Sequence, residues 1–335
     1  MTQVSLSVAF AAEIVVTNPG DLPLAGSLTL REAVAASAPN DAVTFAVQQP
    51  VVLTEGEIVI DHDLEIKGPG LGTQTIQRRG ETTPFRLFHV TQGTLTLSHL
   101  TLRNGYVAVA DINAPPSLHD AQGGAILNAG TLTLSDCYLA GNSVNAGNGI
   151  AGETGEIGGN GEGGALYNSG TLMVDSCTFD GNVAAGGADG TSTAGPGAPA
   201  GLSAGGAIHN VGISTVRNCT FSGNAAVGLR GGSSAPNEAG GKGGAAQGGA
   251  ISNAGVLEMV SSTFSQNDAQ AGQAGPGDVL IDNNGGDAAG GAIFSSDDSS
   301  VITTMRSCIV ARASSSAARP PPARRAWRKA GTSSD

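Results

Sequence analysis

Gly123-Gly-Ala-Ile-Leu-Asn128-Ala-Gly130-Thr-Leu132-Thr-Leu134-Ser-Asp136-Cys137-Tyr-Leu139-Ala-Gly141-Asn142 is the stretch that decides the fold. Its opening Gly-Gly-Ala, completed by Ile or Leu, returns at 163, 205, 248 and 290, at spacings of 40, 42, 43 and 42 residues. Self-similarity at such a period marks a stacked repeat. Alternation sets Leu132 and Leu134 on one face, and Cys137 opens a second short strand with Leu139 on the same inward side. The counterparts are Cys177/Phe179, Cys219/Phe221 and Ser262/Phe264. Strands this short, punctuated by Gly and Asn, are not helices. One repeat does not bury its apolar face alone, so successive copies must stack, each strand parallel to its counterpart at a spacing of about 4.8 Å.

The predicted fold is therefore all-β: a right-handed parallel β-helix, or β-solenoid, with a short N-terminal capping helix and Gly-rich insertions. About 22 residues of each repeat form the coil. The remainder forms inserts at 145–162, 185–204, 227–247 and 270–289, which leave at one corner and line one side of the rod. Asn142, Asn182, Asn224 and Asn267 fall in register at a turn, where stacked amides bond along the axis and a left-handed backbone is tolerated. Upstream, Val43-x-Phe45, Val51-x-Leu53, Ile58-x-Ile60, Leu64-x-Ile66 and Leu95-x-Leu97 read as earlier coils, and Ser27–Ala35 as a helix that covers the open first coil. The expected divisions are 1–12, 13–102, 103–310 and 311–335. Val4–Ala12 reads either as the tail of a secretory signal or as a first strand. Residues 311–335 read as a disordered Pro/Arg/Ser tail, with a frameshifted or truncated reading frame favoured as its origin.

Composition agrees with a repeat protein: 52 Gly, 13% charged and 4% aromatic residues. The net charge is −12, but six basic residues lie in the last 25 positions, so the body holds 10 basic against 27 acidic residues, a net −17. Such a field repels phosphate backbones and excludes nucleic acid as a partner of the folded body. No window reaches the roughly 18 consecutive apolar residues of a membrane-spanning helix.

Glu13-Ile-Val-Val-Thr-Asn, Gly26-Ser-Leu-Thr-Leu-Arg-Glu-Ala-Val34 and Asn40-Asp-Ala-Val-Thr-Phe45 resemble the "CSLREA" N-terminal motif of bacterial right-handed β-helix proteins, with one extra Thr and without the Cys. The repeats resemble those of polymorphic outer-membrane proteins and related surface proteins of the pectate-lyase-like superfold. The resemblance covers roughly residues 13 to 310, and it specifies architecture rather than activity. It implies an exported protein, secreted or associated with the cell surface or outer membrane. Adhesion is the role commonly suspected in the family, and few of its members have an assigned chemical activity.

Cys137, Cys177 and Cys219 share one inward column, with Cβ vectors parallel at strand spacing, so buried thiols are favoured over disulfides or a metal site. Carbohydrate cleavage needs clustered outward carboxylates. The outward pairs Thr131/Thr133, Thr171/Met173 and Val256/Glu258 make no such cluster. The best constellation is the turn before the Cys column, where His99, Asp136, Asp175 and Arg217 occupy adjacent coils and the two aspartates could approach the roughly 5–5.5 Å of a retaining pair. The acidic loops at Gly159–Glu162 and Asp278–Asp287 match no calcium motif, so no cofactor is expected beyond weak surface Ca2+. The reading is a non-catalytic secreted or cell-surface protein, an adhesin or structural component whose Gly-rich loops meet a glycan or a host-cell component. The alternatives are a polysaccharide lyase or glycoside hydrolase on the same fold, and a non-functional fragment of a longer surface protein.

Overall fold

The computed structural model describes residues 11–70, 74–80, 83–109, 120–278 and 285–317; most of Val4–Ala12, Asp282–Asn284 and the tail from residue 318 lie outside them. Among the described residues the strands form five sheets of nine, eight, seven, six and five members. Each strand bonds in parallel to its counterpart one coil away. Thr131–Ser135, for example, lies between Thr94–Ser98 and Thr171–Asp175. The chain is a right-handed parallel β-helix.

Two kinds of coil occur. The early ones carry three strands, as in Leu64–Lys67, Gln74–Arg78 and Phe88–Val90. From Thr94 onward a coil carries five: Thr131–Ser135, Tyr138–Ala140, Ser143–Asn145, Gly161–Glu162 and Leu166–Asn168 make one such turn. The nine-, eight- and seven-stranded sheets thus form a three-sided shaft, and the six- and five-stranded sheets add a side lobe. Alternation fills the shaft with Leu132, Leu134, Leu139, Leu172, Val174 and their equivalents in one continuous core. Phe179, Phe221 and Phe264 stack face to face at 4.9 and 4.8 Å between centroids.

Two buried amide files run along this core. Asn142 Nδ2 donates to Asn182 Oδ1 (3.0 Å), Asn182 to Asn224 (2.9 Å) and Asn224 to Asn267 (2.9 Å), and each Oδ1 also takes the backbone N–H of the preceding Asn. Asn128, Asn168, Asn210 and Asn253 repeat the Nδ2 to Oδ1 link alone, at 2.6–2.8 Å. These bonds supply partners for turn groups sealed from water, where each orphan would cost about 1–3 kcal/mol.

The capping helix spans Leu30–Ala36 and starts later than its apolar spacing suggests, because Thr29 stays extended as the N-cap. Its hydroxyl accepts from Glu32 N while the Glu32 carboxylate accepts from Thr29 N. Leu30, Ala33 and Val34 are buried. The last coil runs past residue 310, the boundary drawn from sequence, through Ile309–Ala311 and Ser314–Ser316. Backbone pairing tolerates the lost side-chain pattern, with Arg312 (φ 50°) in the left-handed turn position that Gly223 and Gln266 hold in earlier coils.

The inserts leave at one corner but are not free loops. They stack backbone on backbone: Gly187 N donates to Gly159 O (2.8 Å), Gly201 N to Gly187 O (2.9 Å) and Gly159 N to Gly147 O (2.9 Å). A Cβ on Gly187 would fall onto the Gly147 carbonyl. Glycine is there because the neighbouring chain occupies the side-chain space.

Candidate functional site

The turn between the nine- and eight-stranded sheets holds the four residues singled out by sequence. His99 (φ 55°) and Asp136 (φ 52°) take its left-handed position, whereas Asp175 and Arg217 end the preceding strands, so the two aspartates stand in neighbouring columns. His99 Nδ1 lies 3.8 Å from Asp136 Oδ2, beyond hydrogen-bond reach, and that oxygen accepts from Ser135 Oγ. Asp175 accepts from Asn218 Nδ2 (2.8 Å), and Arg217 faces Glu258 at 3.9 Å. Each charge answers a neighbour on an outward edge.

Beside this turn, Cys137, Cys177 and Cys219 are buried free thiols. Cys137 N donates to Cys177 Sγ and Cys219 N to Ser262 Oγ, while each side chain donates back to a carbonyl two residues earlier, at 3.3 Å for Cys137, 3.2 Å for Cys177, 2.9 Å for Cys219 and 3.0 Å for Ser262. Thiol and hydroxyl therefore serve the same bonds. Burial pushes the Cys219 thiol up to about 12, leaving it uncharged.

A different constellation lies where the lobe meets the shaft. Outward side chains of the five-stranded sheet form the file Gln122, Glu162, Ala204, Gln247, and those of the seven-stranded sheet the file His89, Leu127, Tyr167, His209, Ser252. Outward side chains of two sheets touch where their faces enclose a concave angle, and these do. Gln122 Nε2 donates to Glu162 Oε2 (2.8 Å) and reaches the Tyr167 hydroxyl. His209 Nε2 stands 4.0 Å from Glu162 Oε1, and the Tyr167 and His209 rings lie 5.4 Å apart. At the upper end Arg86 pairs with Glu57 (2.6 Å) and bonds Gln122 O, and His89 Nδ1 lies 3.1 Å from Glu57.

Burial governs the electrostatics of this seam. It raises the Glu162 carboxyl, with a further push from Asp120, and raises the Tyr167 hydroxyl, with a push from Glu162. It lowers His209 to about 4, so the imidazole is neutral at pH 7. His209 is 6% exposed, and its Nδ1 has no hydrogen-bond partner among the described residues. Asp120, two residues before Gln122 and exposed, accepts from Asn160 N (2.6 Å). A cavity of about 300 Å3 adjoins it, lined by Asp120, Ile157, Asn160 and Leu202 among others.

A second cavity of about 350 Å3, lined by Arg78, Asn104, Tyr106 and Ser143 among others, has no carboxylate or imidazole in its wall. Among the described residues no three His, Cys, Asp or Glu side chains gather as metal ligands, and no helix is long and apolar enough to cross a membrane.

The seam escaped the sequence reading because its members repeat in position but not in type. The signal was the variable residue of Gly-Gly-Ala-Ile-x-Asn: Leu127, Tyr167, His209 and Ser252.

Fold and site together define a right-handed parallel β-helix with a polar seam along its axis. No family model matches the chain, and no curated protein matches it. Among solved structures it is similar to a mutant of AlyGC, an alginate lyase of family PL6, with 13% identity and a TM-score of 0.37 over 93% of this chain and 41% of that one. The chain spans less than half of that enzyme, and the likeness concerns the course of the backbone alone.

Proposed function

We propose that this chain is an extracellular or cell-surface β-helix that recognises an extended glycan laid lengthwise in the seam. The observation that carries the reading is the seam itself, where Gln122, Glu162, Tyr167 and His209 gather in a concave angle with the Tyr167 ring half-buried among them. Sugars are recognised by such mixtures of planar amide, carboxylate and aromatic groups, and a coil advances by about 4.8 Å, comparable to one pyranose unit. The net −17 of residues 1–310 favours neutral glycans over polyanions. An exported setting and an adhesive role are supported by the resemblance of its repeats to surface β-helix proteins.

A glycan microarray followed by calorimetric titration of the best hit tests the reading. Tyr167→Ala should weaken binding about 10-fold or more, on the scale of a lost central aromatic contact. An array without hits, or binding indifferent to Y167A, would overturn it.

A further inference from the structure

We propose that the C-terminal end of the shaft is a docking face for a second copy of this chain, the two rods meeting end to end about a two-fold axis in a closed dimer. The inference is independent of the seam. The two ends of the rod differ. At the N-terminal end the helix Leu30–Ala36 packs onto the core with Leu30, Ala33 and Val34 buried. At the other end no described residue stacks on the last coil, whose strands Ala288–Ala289, Ile293–Ser295, Ile302–Arg306, Ile309–Ala311 and Ser314–Ser316 are the edges of all five sheets. Its inward side chains are accordingly bare. Met305 is 42% and Val310 51% exposed, whereas Met259 and Phe264, their counterparts one coil below, are 0% exposed.

Such an edge is a template for another edge. With the far end capped, a head-to-tail contact has no second edge to use, so the contact joins like ends and closes at two copies. The backbone of Ile302–Arg306 is set up for this. Ile302 N donates to Gly255 O and Arg306 O accepts from Ser261 N, so the even-numbered residues bond to the coil below and Thr303 and Met305 turn their N–H and C=O groups outward. Two copies of the strand related by a dyad through Thr304 run antiparallel, and Thr303 of each then exchanges both bonds with Met305 of the other.

Charge favours the same arrangement. Asp297 and Asp298, both exposed, precede this strand, and exposed Arg306 ends it. Reversing the strand end for end lays Arg306 of each copy beside the acidic turn of the other. The rotation also fits the rest of the face. The lobe sits at the corner opposite Ile302–Arg306, so lobe meets lobe, while Ile293–Ser295 of one copy lies antiparallel to Ile309–Ala311 of the other. Ile293, Met305 and Val310 are thereby enclosed in the joint.

Sedimentation equilibrium of the full chain over a micromolar concentration series tests the inference, and a monomer–dimer equilibrium that stops at two copies is expected. Arg306→Asp sets acid against acid at both ends of the paired strands and should raise the dissociation constant about 10-fold or more, and adding Asp297→Arg should restore it. In a Cys308→Ser background, Thr304→Cys places two thiols across the dyad with about 4.5 Å between Cα atoms, within disulfide range, and should give a covalent dimer with oxidised glutathione. Thr133→Cys in the same background, four coils earlier in the same outward file, should not. Hydrogen exchange at the Thr303 and Met305 amides should slow as the chain is concentrated.

A monomer at every concentration would overturn the inference, as would growth beyond two copies. A dimer that Arg306→Asp leaves unchanged and Thr304→Cys does not lock would place the contact elsewhere and overturn it too. Protection of the Thr303 and Met305 amides at every concentration would mean that residues 318–335 take the edge, with the same consequence.

Discussion

In the shaft, coil rests on coil through side chains: Phe179, Phe221 and Phe264 are fully buried plates, flanked by Leu and Ile files and two rows of Asn. In the lobe, coil rests on coil through the backbone. Its apolar clusters are small, Ala121, Val144, Ala146 and Ala184 in one and Ala226, Ala246 and Ala269 in the other, and beyond them glycines press against carbonyl oxygens. The shaft is stabilised by apolar area removed from water, at about 25 cal/mol per Å2. The lobe has little such area to remove and depends on every N–H meeting a C=O. Parallel stacking sets the same axial pitch in both, but errors should spread differently: a missing side chain leaves a hole in the shaft, and an added one splits the lobe.

The largest expected effect is in the shaft. Phe221→Ala empties the middle of the aromatic stack and should lower stability by about 3–5 kcal/mol in a denaturant titration. A loss below about 1 kcal/mol would mean that the shaft is not held by its plates. Asn182→Ala comes next. It removes the acceptor of Asn142 N and Nδ2 and the donors to Leu139 O and Asn224 Oδ1. At about 1–3 kcal/mol for each buried group left alone, a loss of about 2–4 kcal/mol is expected in the same titration.

Gly187→Ala addresses the lobe and should cost about 1–3 kcal/mol as overpacking. Hydrogen exchange should show faster amides in the inserts while those of Leu132–Leu139 stay protected. Loss of protection in both would show that lobe and shaft are one cooperative unit.

The smallest effect concerns Asp189, whose carboxylate accepts from Gly232 N inside the lobe and which burial raises to about 6. Its folded pKa lies above its unfolded one, so the charged form disfavours folding. Stability is greatest below about pH 4 and declines as the pH rises through 6. His209, lowered to about 4, acts in the opposite sense, its contribution being lost as the pH falls from 6.5 through 4. Asp189→Asn against the parent cancels the histidine. The melting temperature of the variant should gain on the parent between pH 4 and pH 7, and parallel curves would refute the assignment.

The same contrast explains what was legible in the chain. The shaft could be read because inward positions alternate and recur: Leu132/Leu134, Cys137/Leu139 and their copies announce a face, a strand and a period at once. The lobe could not, because strands of two residues such as Gly161–Glu162 show no alternation. A glycine chosen for what stands opposite it, as Gly187 is for Gly147, looks in isolation like a flexible linker. The turn residues His99, Asp136, Asp175 and Arg217 attracted notice by adjacent numbering within the repeat. Gln122, Glu162, Tyr167 and His209 come from different strands of three coils, and their meeting depends on a concave angle that linear order does not display.

One consequence follows from the amide files. Asn128, Asn168 and Asn210 occupy interchangeable places, each with the same Nδ2 to Oδ1 bond to its successor. Excising residues 164–205 would rejoin Gly163 to Gly206 at an equivalent Gly-Gly step and set Asn128 against Asn210 in the contact it now makes with Asn168. The length of such a molecule is therefore quantised. Recombination between copies adds or removes whole coils while keeping the amide files in register.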